Sequence, residues 1–271
     1  MTERLAIWQV HAFTSRLHQG NPAGVCISEA ALSEWEMARI AAELRLPVTA
    51  FIVDQEIPVG GYGLRWFTYA GKEVRSFCGH ATFAAAHVLR GRRGSDLPFA
   101  FSTLSGIRQA AFDGARVTIA LPSWPARPFE GVGAVGAALR AHPSGCFHTE
   151  RDLLVTFADA RQVMDLRPDF GAMLRLGDVG VIATAATGPT SIAFRFFCPS
   201  FGIGEDEDQA TGSAHSSLGP FWHQRLGVSL FDSVQLSHRT GQFQCVQRDG
   251  NLSLTAQCVT FLDGHIEIDR D

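Results

Sequence analysis

What most limits the folds open to this chain is a segment that occurs twice. Arg65-Trp66-Phe67-Thr68 leads into Cys78-Gly79-His80-Ala81-Thr82, and Arg195-Phe196-Phe197-Cys198 leads into Asp208-Gln209-Ala210-Thr211-Gly212-Ser213-Ala214-His215. Gly79 and Gly212 stand 133 residues apart and the two arginines 130, so one three-residue indel relates the copies. In each copy an aromatic-rich extended run passes through a turn into a Gly-[His/Ser]-Ala helix start. The first amides of a helix have no intrahelical acceptor and can hold an anion. Two such starts predict two versions of one half and a shared anion site in the cleft between two domains.

The charge balance narrows the partner. Against 23 Lys and Arg stand 27 Asp and Glu, giving a net charge of −4, which supplies no electrostatic footprint for nucleic acid or an anionic membrane. A small molecule is the expected ligand. The opening Met1-Thr2-Glu3-Arg4-Leu5-Ala6 lacks a basic segment followed by an apolar one, and no run approaches the roughly 18 apolar residues of a spanning helix; a soluble, cytoplasmic chain is expected. The six cysteines show no CxxC pair, and with the ten histidines they lack zinc-type spacing, so no metal is expected. Five cysteines read as small buried hydrophobes. Cys78 differs, because it directly precedes a helix start where the dipole lowers a thiol pKa. No phosphate-cradling motif occurs: Gly60-Gly61-Tyr62-Gly63 reads as a glycine-rich loop without a helix start or Lys-[Ser/Thr] after it, and no nucleotide cofactor is expected.

Local patterns place the motifs. Ala6–Phe13 reads as a strand and Gly20-Asn21-Pro22-Ala23-Gly24 as a turn, with Asn21 a turn residue or a ligand. A helix is expected over Ser33–Leu44, opened by a Ser33/Glu36 capping box and a Leu32/Met37 staple. Leu64–Thr68 is a strand, and Gly79–Leu89 a nearly uncharged, buried helix ending near Gly91. Phe99–Leu121 alternates as antiparallel strands turning at Asp113-Gly114. Pro122, Pro125 and Pro128 then mark a boundary between domains 1–122 and 123–271. In the second, Val132–Ala141 reads as a helix, Asp152–Phe157 and Ser191–Cys198 as strands, and a helix starts near Gly212.

Phe13-Thr14 with Gly20-Asn21-Pro22-Ala23, then Arg65-Trp66-Phe67-Thr68, Glu73-Val74, Cys78-Gly79-His80-Ala81-Thr82, Glu207-Asp208 and Thr211-Gly212-Ser213-Ala214 together resemble the phenazine-biosynthesis PhzF-like family. The motifs come in the family's order and span most of the chain. The resemblance implies an α/β (α+β) diaminopimelate epimerase-like fold, with two pseudo-symmetric domains that are each a curved, mostly antiparallel sheet around a central helix. It also implies a homodimer. His80 and Asp208 are then expected to hydrogen-bond and orient the substrate, and Gly79, Gly212 and Ser213, with Thr211, to form the carboxylate-binding helix ends.

One position departs from the pattern. Where the family carries a glutamate that moves the proton, in the frame Pro47-Val48-Thr49-Ala50-Phe51, this chain has Val48; His11 stands where the family commonly has Asp. Val48 is retained as a substrate-lining position. His80, with the most suitable intrinsic pKa, is the first candidate for the missing base, then Asp208, which Glu205, Asp206 and Glu207 could make more basic, then Cys78. His215 and His11 are each read equally as core histidines or cleft residues. A two-thiol racemase does not fit, because Thr211 stands at the second thiol position. The expected activity is a cofactor-independent isomerase that shifts a double bond by proton transfer in a small unsaturated, possibly cyclic amino, carboxylic acid of secondary or antibiotic metabolism. The alternative is a carboxylate-binding relative that has lost its chemistry.

Overall fold

The computed structural model describes residues 2–57, 61–201 and 206–269, and the chain divides into two compact units, Met1–Ala120 with Thr255–Asp271, and Leu121–Leu254. Gly60 and Glu205, both used above, lie outside the described residues.

In the first unit β1 (Thr2–Ala12) pairs antiparallel with β2 (Asn21–Ser28), and α1 (Glu34–Leu44) carries the chain to β3 (Val48–Ile57), parallel to β2. Next, β4 (Gly61–Thr68) returns antiparallel, and α2 (Gly79–Arg93) crosses to β5 (Phe99–Thr103), parallel to β4. A meander of β6 (Gly106–Asp113) and β7 (Arg116–Leu121) completes it, turning at Asp113-Gly114 as the alternation predicts. The last strand of the chain then pairs with β1, from Thr2 opposite Asp269 to Ala12 opposite Cys258.

The second unit contains β8 (Arg127–Pro128), α3 (Val132–Leu139), β9 (Gly145–His148), β10 (Asp152–Thr156), α4 (Ala160–Met164), α5 (Phe170–Leu174), β11 (Gly180–Gly188) and β12 (Ser191–Phe197). A 3₁₀ turn over Gly212–Ala214 runs into α6 (His215–Leu226), followed by β13 (Leu230–Gln235), β14 (Gly241–Arg248) and β15 (Asn251–Asp269), which ends in the first unit. The pairing signs reveal the repeat. From β9 to β14 successive pairs are antiparallel, parallel, antiparallel, parallel, antiparallel, the same series as from β1 to β6. Arg65 sits in β4 and Arg195 in β12, the equivalent strands, and α2 and α6 are the equivalent crossovers.

The α2 crossover is buried over most of its length because its sequence leaves little polar surface there. In α2 the run Ala81–Ala86 is buried throughout, and Phe83 meets Phe13 edge-on at 5.1 Å. The small alanines let the helix lie close against β1, β2 and β3. α1 is only half-sunk: Met37, Ile40 and Ala41 join Leu32, Phe51 and Phe67 in one core cluster. Its capping box forms as predicted, with the Ser33 hydroxyl accepting from the Glu36 amide at 3.2 Å and the Glu36 carboxylate accepting from the Ser33 amide at 2.6 Å. Ser33→Ala should therefore cost about 1 kcal/mol in urea unfolding, with an unchanged m-value.

Several boundaries differ from the sequence reading. α2 passes Gly91 and ends at Arg93, because Gly94, at φ 60°, supplies the left-handed residue that stops it. Asn21–Gly24 is not a turn but the start of β2, since these residues pair with β1. Gly61-Tyr62-Gly63 likewise belongs to β4 rather than to a loop; a side chain on Gly61 would lie 2.2 Å from the Ala100 carbonyl oxygen of β5, so only glycine permits that approach. The first unit ends at Ala120, and Thr255–Asp271 joins it rather than staying with the second half, because Cys258–Asp269 pairs with β1. No helix among the described residues is long and apolar enough to cross a membrane.

Candidate active site

Two helix starts carry the site residues, and the same device leads to each. In the first unit Arg65 Nε donates to Glu73 Oε1 at 2.6 Å, and Phe67 forms a bridge with Glu73. This fastens the segment after β4 to the strand and delivers the chain to Cys78, the extended N-cap residue of α2, at φ −106° and ψ 100°. The Cys78 carbonyl accepts from the Thr82 amide at 3.2 Å and the Thr82 hydroxyl at 2.6 Å, while the Gly79, His80 and Ala81 amides have no intrahelical acceptor.

His80 stands in that first turn. Its Nδ1 lies 3.8 Å from Cys78 Sγ, and its Nε2 is buried with no hydrogen-bond partner among the described residues. The residue is half-buried as a whole, but burial of the ring lowers its pKa from 6.5 to about 4. It is therefore neutral at pH 7. With the Nδ1 hydrogen toward Cys78, Nε2 carries the lone pair; with the thiol donating to Nδ1, Nε2 carries the proton. The proton inventory suits a group that both takes and returns a proton. Because the neutral form persists well below 6.5, kcat/KM should stay level from pH 8 down to about 5 and fall only as the pH approaches 4. An inflection near 6.5 in the pH–rate profile would contradict this.

Val48 opens β3, opposite Ala23 of β2 and Thr68 of β4, and is 3% exposed. Asn21 opens β2 and is fully buried. His11 is buried on β1, where its Nδ1 accepts from the His18 amide at 3.2 Å and its ring stacks on Phe261 at 5.2 Å, a packing role.

In the second unit Arg195 makes a two-pronged contact with Glu207, Nε to Oε1 and Nη2 to Oε2, both 2.7 Å. Asp208 follows. Its amide donates to the Phe196 carbonyl at 3.1 Å, and its Oδ2 accepts from the Thr211 hydroxyl at 2.7 Å. Buried Gln235 of β13 clamps the turn from the other side: its Nε2 donates to the Asp208 carbonyl and its Oε1 accepts from the Thr211 amide, each at 2.6 Å. Thr211 then leads into Gly212 and Ser213 at the start of the 3₁₀ turn, where the Ser213 Oγ accepts from Arg151 Nη1 at 3.1 Å. His215 proves to be a core residue. It is fully buried against Phe194 and Phe243, with Nδ1 3.1 Å from the Gly212 carbonyl and Nε2 2.6 Å from Ser233 Oγ.

The family model for phenazine biosynthesis-like proteins (PhzC-PhzF) matches residues 10–267. The chain belongs to this family. It is 34% identical to an uncharacterized isomerase of Pseudomonas aeruginosa, over 97% of this chain and 99% of that one. A second uncharacterized isomerase of the same organism is 35% identical over 98% and 99%. A crystal structure of a PhzF-family phenazine biosynthesis protein from Enterococcus faecalis superposes with a TM-score of 0.90 at 30% identity, covering 97% of this chain and 99% of that one. The fold is thus the diaminopimelate epimerase-like α/β arrangement of PhzF-like proteins, and the protein is an isomerase.

Sequence reasoning missed Gln235 and Arg151. Gln235 reaches the motif from β13 and Arg151 from the connection between β9 and β10, and no local spacing marks them. Cys26, Cys146, Cys245 and Cys258 have thiol pKa values raised by burial, as suits small core residues, and none of the six cysteines is in a disulfide. Among the described residues no group of three or more His, Cys, Asp or Glu is placed to hold a metal ion.

Proposed function

We propose that this isomerase shifts a double bond in a small unsaturated carboxylic acid, by removing a proton from one carbon and returning one to another without a cofactor. The observation that carries this reading is His80 Nε2: buried, without a hydrogen-bond partner among the described residues, and beside the open amides of the α2 start. Helix-start amides suit a carboxylate and the enolate-like charge that develops next to it when a C–H bond breaks. A histidine of pKa about 4 is a weak base in the empty protein. A carboxylate bound nearby raises that value by favouring the imidazolium, so substrate binding itself brings the base toward its working range. A pKa nearer neutrality lets the same ring take the proton and then give it back.

Asp208 is the second proton-transfer group in this reading, with Thr211 and Gln235 holding it in place. Because Val48 supplies no carboxylate, substrates with an already labile proton fit best, above all cyclic imino acids, whose ring nitrogen drains charge from the reacting carbon. The test is a panel of β,γ-unsaturated and cyclic imino carboxylic acids, followed by NMR for migration of the double bond. Turnover of at least one acid, reduced in His80→Ala and in Asp208→Asn, supports the assignment; acids that bind and never isomerise oppose it. Val48, buried and apolar, favours one other reading, in which the protein binds such carboxylates without shifting their double bond, and that second result would support it.

A further inference from the structure

Arg151, at the end of the β9–β10 connection, is built into the second helix start more firmly than a surface arginine. Its Nε and Nη2 donate to Oδ1 and Oδ2 of Asp152, each at 2.8 Å, and Asp152 is fully buried. Its guanidinium lies 5.2 Å from the Trp124 ring, 5.5 Å from Phe196 and 5.8 Å from Phe201. A fork held on one carboxylate and faced by three rings has little rotamer freedom left to lose. The backbone makes room for the pair: a side chain on Gly180, the β11 residue opposite Asp152, would lie 2.5 Å from Asp152 Oδ1.

The remaining terminal nitrogen, Nη1, donates to Ser213 Oγ at 3.1 Å. That contact closes the Arg151 side to the hydroxyl hydrogen. With a lone pair of Oγ occupied by a cationic N–H, the serine O–H is directed elsewhere, as a donor made stronger by the adjacent charge. The Arg151 side chain is 30% exposed, so it is not sealed from solvent. The anion Asp208 belongs to the same neighbourhood: Cys198, whose pKa is raised chiefly by burial, also feels Asp208, Arg151 and Asp152. An incoming carboxylate would meet repulsion from Asp208; the Arg151–Asp152 pair is neutral overall, but its guanidinium end, with Nη1 on Ser213, is the end turned toward the helix start and offsets part of that repulsion.

Resting on the carboxylate-isomerase reading above, we infer that Arg151 is a specificity-determining residue, which orients the Ser213 hydroxyl and supplies the charge that makes the Gly212–Ser213 helix start select carboxylates over neutral analogues. Asp152 and Gly180 are its supports. The sequence gives no sign of this, since Arg151 lies 62 positions from Ser213.

The probes are pyrrole-2-carboxylate, a planar anion, and its neutral carboxamide, titrated into the full chain by calorimetry. Methionine at 151 alone would strand the buried Asp152, so the variant is the double Arg151→Met/Asp152→Asn, with Ser213→Ala and Arg151→Lys beside it and each variant's melting temperature recorded. Wild type should bind the acid and prefer it to the amide. The double variant should lose about 10- to 100-fold in affinity for the acid and little for the amide, and Ser213→Ala should lose part of the same preference. Arg151→Lys should restore affinity only partly, because an ammonium cannot keep both the Asp152 fork and the Ser213 contact. Wild-type binding without preference for the acid, equal losses for acid and amide in folded variants, or no binding of the acid to wild type would overturn the inference. Proton transfer is read separately, by deuterium uptake: a carboxylate preference that depends on Arg151 without uptake from any acid would overturn the isomerase reading and leave this one standing.

Discussion

His80→Ala should reduce proton transfer by about 10²- to 10⁴-fold, the usual contribution of a positioned acid–base group, while the melting temperature moves little. The large kinetic effect follows from a base that has no substitute on its own helix start. Cys78 is buried, and Gly79 and Ala81 carry no titratable group. The small effect on stability follows from what the ring does in the folded state. Its Nε2 makes no hydrogen bond to the described residues, and its Nδ1 contact with Cys78 Sγ is a weak one at 3.8 Å. Removal of an imidazole that burial keeps neutral also relieves a desolvation cost. A kcat/KM loss with KM little changed would place His80 in the chemical step; a rise in KM alone would make it a binding residue.

Glu207→Ala should be among the most damaging single substitutions, costing about 3 to 5 kcal/mol in chemical unfolding. The Arg195 and Glu207 side chains are only 11% and 18% exposed, so loss of the carboxylate strands a desolvated guanidinium. Arg195 also ties down another element. Its Nη1 donates to the carbonyls of Met164, the last residue of α4, at 3.2 Å and of Leu166, just after it, at 2.9 Å. The equivalent Glu73→Ala should cost clearly less. Arg65 is 34% exposed, and it retains an exposed partner in Glu34 at 3.1 Å. Inequality between the two variants measures how far the repeat's copies have diverged. Equal losses would mean that solvent does not soften the Arg65 site.

What could be read from the sequence was what local chemistry decides. Ser33 and Glu36 announced the start of α1 because a capping box needs only residues three apart. The repeated Arg-aromatic and Gly-[His/Ser]-Ala motifs announced two equivalent halves, and the identical pairing series of β1–β6 and β9–β14 bears that out. α2 runs four residues past the expected Leu89, because both Gly91 and Gly94 could stop a helix and it is Gly94 that takes the left-handed conformation. Nothing local could foretell that Cys258–Asp269 pairs with β1, since that register joins segments from the two ends of the chain. The same holds within the site. His80, Asp208 and Ser213 stood out by their motifs, whereas Gln235 and Arg151 act on Asp208 and Ser213 from a strand and a connection far away in sequence.

The most direct test is deuterium uptake at carbon, measured by NMR after incubation of wild type and His80→Ala in deuterated water with the acid panel. The expected result is enzyme-dependent uptake at the carbons flanking the shifting double bond, strongly diminished in His80→Ala. Acids that bind wild type without any uptake, or uptake that His80→Ala leaves intact, would contradict proton transfer by His80.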